Sequence, residues 1–196
     1  MAEVVLTRVV ESFDGVRMIQ RLLEGAESVI ARAPHCWLMT LSQSGGVNAR
    51  PMGRIIPAPS QTGWKLSFLA DSRSKKARDI HWSRGSGDVP CGDVTAGDSA
   101  TQVRLIFEHG EDAFVSLAGT AEVIPDAAGI AHRWKPDYDR IFPSAAEKAN
   151  AVFIDILAEE LRLWIRGLTP EPFGVRSLTL RRPLVGGDWH LDSECP

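Results

Sequence analysis

Residues 114–124 read Phe-Val-Ser-Leu-Ala-Gly-Thr-Ala-Glu-Val-Ile, and this stretch decides the fold class. On a strand, Val115, Leu117, Ala121 and Val123 would share one face, and Ser116, Thr120 and Glu122 the other. Gly119, in the middle, predicts a β-bulge or a close approach of another backbone. Pro125 and Asp126 predict the end of the strand and the start of a helix. The stretch therefore indicates a long strand with one buried face.

Shorter apolar runs on both sides of this strand predict the rest of a sheet. These strands are expected at 36–41, 47–56, 64–69, 103–107, 152–158, 161–166 and 178–180, and the tail around 186–190 either pairs weakly or hangs free. Gly45 and Gly46 predict a hairpin between the first two runs. Asp155, Glu159 and Glu160 are expected as surface charges near a turn between late strands. The pattern predicts a mainly β fold with short helices, a six- to seven-stranded antiparallel barrel or sandwich.

Amphipathic spacing and N-caps predict a few helices beside the sheet. The N-terminal helix is expected at 14–33, with Asp14 as its N-cap and Pro34 after its end. Further short helices are expected at 74–82, at 127–134 and after Pro143. Ser74 would cap the first of these, and Ser144 with Glu147 has the spacing of a capping box.

Length and composition limit the function classes. The 196 residues suit a single domain covering 1–196, and 44% hydrophobic with 24% charged residues is typical of a globular protein. A net charge of −3 argues against a strongly basic nucleic-acid surface and gives no support for a polybasic membrane patch. The three cysteines lack C-x-x-C spacing, and the five histidines lack metal-ligand spacing. We therefore expect a cytoplasmic protein without metal, membrane or nucleic-acid partners.

One segment, 83–101, differs from the rest of the chain. It is rich in Gly, Asp and Ser, and Gly-Asp recurs at 87–88, 92–93 and 97–98. A flexible insertion is the favoured interpretation, because the segment has few apolar residues to bury. Calcium binding by the three aspartates is the alternative.

A phosphate pocket is predicted where a strand passes into a helix, in the stretch Phe-Leu-Ala-Asp-Ser-Arg-Ser-Lys-Lys-Ala at 68–77. The free backbone N–H groups of a helix start attract an anion. Lys75 and Lys76 lie in the first turn, where cations oppose the helix dipole unless an anion joins them. Arg50, on an adjacent strand, could add a fork-shaped donor. The pocket would consist of Arg50, Ser74, Lys75 and Lys76. In the alternative, the two lysines are solvated surface charges.

Four stretches together resemble the pyridoxamine 5'-phosphate oxidase-like flavoproteins, closest to their general-stress-protein-type branch. They are Ala49-Arg50-Pro51-Met52, the stretch at 68–77, the stretch at 114–122 that contains Gly-Thr-Ala-Glu, and Leu161-Arg162-Leu163-Trp164. The resemblance implies an FMN-binding split β-barrel and covers nearly the whole chain except roughly 81–101.

The resemblance also implies roles for individual residues. Arg50, Ser74, Lys75 and Lys76 would hold the FMN phosphate. The backbones of Pro51, Met52, Gly53, Leu69 and Ala70 would lie along the isoalloxazine and ribityl groups. Trp164 would reach the flavin from the second subunit, because family members bind FMN at a homodimer interface. A core or strand-edge indole is the alternative for Trp164.

Departures from the vitamin B6 oxidases limit the expected activity. Ile55 stands where those enzymes carry a lysine, and no Arg-x-His pair follows Trp164. Phe114 and Ala70 stand where relatives carry Gln and Thr. We therefore expect an FMN-dependent oxidoreductase acting with an unknown small-molecule substrate or electron donor, without pyridoxamine phosphate oxidase activity. A non-catalytic flavin-binding stress-response module and a reductase with a deazaflavin-type cofactor are the alternatives.

Overall fold

The computed structural model describes residues 2–42, 44–53, 58–83, 101–183 and 187–192. Its strands are β1 (His35–Leu41), β2 (Val47–Gly53), β3 (Lys65–Asp71), β4 (Thr101–Glu108), β5 (Ala113–Ile124), β6 (Ala151–Ile165), β7 (Leu178–Arg181) and β8 (His190–Leu191). Its α-helices are α1 (Ala2–Arg32), α2 (Lys75–Ser83), α3 (Ala127–Arg133) and α4 (Ala145–Lys148). Two 3-10 helices, Pro59–Thr62 and Pro136–Arg140, complete the described elements.

All strand pairs of the sheet are antiparallel, in the order β2-β1-β4-β5-β6-β7-β8. Strand β3 lies off this path and pairs with the first half of β6. The sheet does not close, because β2 and β3 do not pair with each other among the described residues. The predicted mainly β, antiparallel fold is confirmed, with eight strands instead of six or seven. The eighth is the two-residue β8, where the sequence predicted weak pairing.

Gly119 allows β5 to pair with β6 along its whole length, Ala113–Ile124. The register shifts between Ala118 and Gly119, which pair with Glu160 and Ala158. A Cβ added to Gly119 would lie 2.0 Å from the carbonyl oxygen of Leu157. Both readings of this glycine are therefore confirmed, since a bulge and a close backbone approach occur together.

Because of this bulge, the two late strands predicted at 152–158 and 161–166 are one strand in the structure. β6 is continuous from Ala151 to Ile165, and Glu159 is the extra residue that the bulge accommodates. The residues of β6 that belong to the core cluster change from even positions, such as Ile154 and Ala158, to odd ones, such as Leu161. A change in the alternation resembles a turn in the sequence, but here it is one residue inserted into an unbroken ladder.

α1 covers one side of the core and is longer than predicted. It begins at Ala2 instead of at Asp14, which therefore lies within the helix and is not its N-cap. Residues 2–14 contain neither Pro nor Gly, so no helix breaker precedes Gly15. Leu22, Ala26 and Ile30 are at most 1% exposed and form the predicted apolar stripe.

The shorter helices begin as the sequence predicts. Asp126 caps α3 by accepting from the N–H groups of Ala128 and Gly129. Ser144 and Glu147 form the predicted capping box of α4. No helix in the described part of the chain is long and apolar enough to cross a membrane.

Two predicted segments fall partly outside the described residues. Residues 84–100 of the predicted insertion at 83–101 lie outside the described residues, and so do residues 54–56 of the second predicted strand. The flanks of the insertion are described and lie together, because the Thr101 hydroxyl donates to the Ile80 carbonyl oxygen at 2.7 Å.

Candidate functional site

The candidate site lies where the sheet stays open. β2 pairs with β1, and β3 with β6, each along one edge within the described residues. α2 follows β3 after a turn at 72–74, and an ion pair between Arg50 and Asp79 joins it to β2. The region bounded by β2, β3 and the first turn of α2 is the seam.

The turn at 72–74 presents a helix start to the seam. The Ser74 hydroxyl accepts a hydrogen bond from the Ala77 N–H at 3.4 Å, so Ser74 is the N-cap, as predicted. The Ser72 N–H donates to the Asn150 carbonyl oxygen at 2.8 Å, which fixes the turn against the chain after α4. No acidic side chain lies in the first turn of α2. The partial positive charge of this helix start is therefore available to an anion.

Arg50 reaches from β2 to α2 on the inner side of the sheet. Leu38 of β1 is opposite Arg50 in the ladder. Thr40, two residues after Leu38 on the same strand, therefore lies on the same side of the sheet as Arg50. Its Nη2 donates to Thr40 Oγ1 at 2.6 Å and to Asp79 Oδ2 at 3.1 Å. The Arg50 side chain is 18% exposed. The sequence predicts Arg50 but neither of these partners, because Asp79 is 29 residues away and the hairpin register that sets Thr40 beside Arg50 is visible only in the structure.

Lys76 and Lys75 differ in their surroundings. Lys76 is half-buried, and burial, reinforced by the nearby charge of Arg50, lowers the pKa of its ammonium group, while Asp71 acts in the opposite direction. Lys75 is exposed. Lys76 is therefore the lysine that the fold holds close to Arg50, and Lys75 fits the alternative of a solvated charge better.

Asp71 and Arg73 form an ion pair at the mouth of the turn, which the sequence analysis did not single out. Arg73 Nη2 lies 2.6 Å from Asp71 Oδ2, and the Arg73 N–H donates to Asp71 Oδ1 at 2.7 Å. The hydrogen bond from the Arg73 side chain lowers the pKa of Asp71 to about 2. The spacing Asp-x-Arg after a strand is the signal for this pair, because an aspartate there accepts from the N–H two residues on.

The residues predicted to lie along a flavin border the seam on both sides. Met52 of β2 and Ala70 of β3 belong to the core. Pro51 and Leu69 are their neighbours on the other face, and Gly53 is the exposed last residue of β2. As far as the structure describes the chain, the second edge of each strand carries backbone N–H and C=O groups without a ladder partner. These positions can therefore offer backbone groups to a ligand in the seam.

Trp164 lies away from Arg50 within one chain. It is opposite Phe114 in the β5–β6 ladder and half-buried, on the face that carries Arg162 and Glu160. Arg50 lies on the core side of the sheet. Within one chain, Trp164 and Arg50 therefore lie on opposite faces of the sheet. Among the described residues, no group of three or more His, Cys, Asp or Glu is arranged to hold a metal ion.

Comparison with protein families identifies the chain. The sequence profile described as pyridoxamine 5'-phosphate oxidase like matches residues 23–169. The chain belongs to this family. The match includes every strand from β1 to β6 together with α2, and so contains the whole seam. Among curated proteins, none matches the chain.

Solved structures share the fold at low sequence identity. A pyridoxamine 5'-phosphate oxidase-related, FMN binding protein from Nostoc punctiforme has a TM-score of 0.60 and 14% identity, with 91% of this chain and 95% of that chain covered. A protein from Clostridium acetobutylicum related to general stress protein 26 has a TM-score of 0.60 and 12% identity, with coverages of 82% and 94%. General stress protein 26 from Bacillus anthracis has a TM-score of 0.52 and 17% identity, with coverages of 72% and 92%. This confirms the split-barrel fold.

Proposed function

We propose that this protein is an FMN-binding oxidoreductase that holds the flavin phosphate in the seam, between Arg50 and the start of α2. One observation carries the proposal. Arg50 lies near Lys76, a half-buried lysine in the first turn of α2, and this turn carries no acidic side chain. Asp79 and Asp71 each balance part of this positive charge, and a phosphate dianion at the helix N-terminus would give both cations a further favourable partner.

The seam also suits the rest of a flavin mononucleotide. The ring and ribityl groups would extend from the helix start along the free edges of β2 and β3, at Pro51–Gly53 and at Leu69 and Ala70. A relative of the same fold is described as FMN binding. The flavin would supply hydride chemistry, and the protein would bind and orient it. This agrees with a seam that contains no cluster of catalytic acids and bases among its described residues.

We infer that the active form is a homodimer. The outer face of the sheet exposes three large apolar side chains on β1 and β2: Trp37 at 43%, Leu41 at 44% and Val47 at 60%. Leu41 and Val47 are opposite each other in the ladder, so they form a continuous apolar surface. The resemblance to the family implies that, in such a dimer, Trp164 of one chain would reach the flavin in the seam of the other.

Paired titrations with FMN and riboflavin test the phosphate claim. Arg50→Ala and Lys76→Ala should each lower FMN affinity by about 1.5–3 kcal/mol, the range for hydrogen bonds to charged groups. Riboflavin, which lacks the phosphate, should bind these variants and the wild type equally. Lys135→Ala, at an exposed lysine outside the seam, is the matched control. Equal binding of FMN and riboflavin by the wild type would refute the proposal.

Reduction of the bound flavin tests the oxidoreductase claim. Under anaerobic conditions, NADH or NADPH should bleach the flavin absorbance of the purified complex. A complex that binds FMN tightly but is reduced by neither NADH nor NADPH would be a flavin-binding module instead of an enzyme.

A further inference from the structure

A buried carboxylate lies directly behind Arg50 and is not part of the predicted pocket. Asp79, on α2, is 5% exposed. Its Oδ2 accepts hydrogen bonds from Thr40 Oγ1 at 2.9 Å, Asn48 Nδ2 at 3.1 Å and Arg50 Nη2 at 3.1 Å. Three donors from the β1–β2 hairpin thus converge on one oxygen atom of α2.

Thr40 completes a closed triangle with Arg50 and Asp79. Its hydroxyl donates to Asp79 and accepts from Arg50 Nη2 at 2.6 Å. Thr40 is itself only 2% exposed, so water cannot easily replace it as a partner. Both contacts of Arg50 use the same nitrogen, Nη2. One corner of the guanidinium is therefore held by two buried groups.

A guanidinium held in this way binds an anion at a smaller entropic cost. An arginine side chain that is free in solution loses rotamer freedom when it grips a ligand. Here one helix, α2, carries both the Asp79 carboxylate that holds Arg50 and the N-terminal turn where an anion would lie. Asp79 is three residues after Lys76 of that turn. The geometry of the grip is thus set by the fold before a ligand arrives.

We propose that Asp79 and Thr40 are positioning residues that hold Arg50 in the orientation required for phosphate binding. This inference rests on the proposed function, because it concerns the same phosphate. Neither residue touches the phosphate in the proposal, and each acts through Arg50. If Asp79 instead competes with the phosphate for Arg50, its removal should tighten FMN binding. Our proposal predicts that its removal weakens FMN binding.

A double-mutant cycle on FMN affinity measures the coupling to Arg50. Thr40→Val keeps the shape of the side chain and removes the hydroxyl. In the wild-type background it should lower FMN affinity about three- to tenfold, the cost of ordering one long side chain, and leave riboflavin affinity unchanged. In the Arg50→Ala background it should have no effect on either ligand. Thr40→Ser, which restores the hydroxyl, should recover FMN affinity.

The effect of Asp79→Ala on FMN affinity is measured in the same two backgrounds. Any direct effect of the lost charge on the phosphate occurs in both backgrounds and is therefore subtracted. It should weaken FMN binding at least about threefold more in the wild type than in Arg50→Ala. Thermal unfolding and riboflavin affinity verify that each variant is folded. The proposal would be overturned if Thr40→Val and Asp79→Ala each changed FMN affinity by the same factor in the wild type and in Arg50→Ala. It would also be overturned if either substitution tightened FMN binding only when Arg50 is present. If Arg50→Ala does not reduce the preference for FMN over riboflavin, the proposed function itself fails.

Discussion

Individual side chains determine which part of the seam can hold an anion. Arg50 and Lys76 lie on its protected side, whereas Lys75 is exposed. The sequence could predict Ser74 and Lys76 at one helix start, because a strand followed by a capped, basic helix start is a local pattern, and it added Arg50 from a separate strand. It could not predict Asp79 as a partner of Arg50, since the two are 29 residues apart and meet only in the fold.

Gly119 is the residue at which a single methyl group should disturb the sheet most. A Cβ there would lie 2.0 Å from the Leu157 carbonyl oxygen, a backbone atom that cannot rotate away. Gly119→Ala should therefore destabilise the protein by about 3 kcal/mol, the upper end of the cost of overpacking. Urea unfolding measures this change.

Gly15→Ala is the matched control for this prediction. Gly15 lies within α1, and a Cβ there meets nothing within 4 Å. Alanine is the better helix former by about 1 kcal/mol, so this variant should be as stable as the wild type or more stable. A Gly119→Ala protein with wild-type stability would show that β5 and β6 are not packed as closely as described.

At the level of elements, β6 shows why sequence patterns fail at a bulge. The two halves of the strand are separate apolar runs in the sequence, and each predicts a strand. Only the bulge at Glu159 shows that they belong to one strand, and its signal, two adjacent glutamates, is also typical of a turn. Asp155 was misplaced for the same reason. It was expected as a surface charge near a turn, but it lies mid-strand and is 5% exposed.

Asp155 joins three elements and should be important for stability. Lys65 and Arg133 each approach its carboxylate to 2.8 Å, and the Ser67 hydroxyl donates to it at 2.7 Å. Asp155→Ala would leave these partners of β3 and α3 without their acceptor. The free energy of unfolding should therefore fall by about 1–3 kcal/mol at pH 7, because the carboxylate is buried but its partner Lys65 is 51% exposed to screening by water. An exposed aspartate, Asp188, provides the control substitution.

The contribution of Asp155 should depend on pH in a defined direction. Burial raises the pKa of Asp155, but hydrogen bonds from Lys65, Ser67 and Arg133 outweigh this and hold the pKa below its ordinary value. A lowered carboxyl pKa stabilises the folded state at neutral pH and loses this effect as the pH falls through the folded-state value. The difference between wild type and Asp155→Ala should thus shrink below about pH 4. A difference that grows on acidification would contradict this assignment.

For the whole molecule, the apolar side chains exposed on β1 and β2 predict a twofold-symmetric dimer. Its interface should bury more than about 2,000 Å², as in obligate dimers. Val47→Glu would place a charge in that interface and should shift light-scattering masses towards the monomer. Ile141→Glu, at a 63% exposed position outside the sheet, should leave the mass unchanged. A wild-type protein that is monomeric at micromolar concentration would refute the dimer and the role of Trp164 across it.

The central claim is that the seam holds a phosphate dianion between Arg50, Lys76 and the start of α2. The phosphorus-31 resonance of bound FMN tests it most directly, because a free phosphate monoester takes up its second proton near pH 6. Among two cations and a helix N-terminus, the dianion is favoured, and protonation should move to a much lower pH. We predict a bound resonance that stays at the dianion position from pH 8 to about pH 5, and that titrates again in Lys76→Ala. A bound resonance in the wild type that titrates near pH 6, like free FMN, would contradict the account.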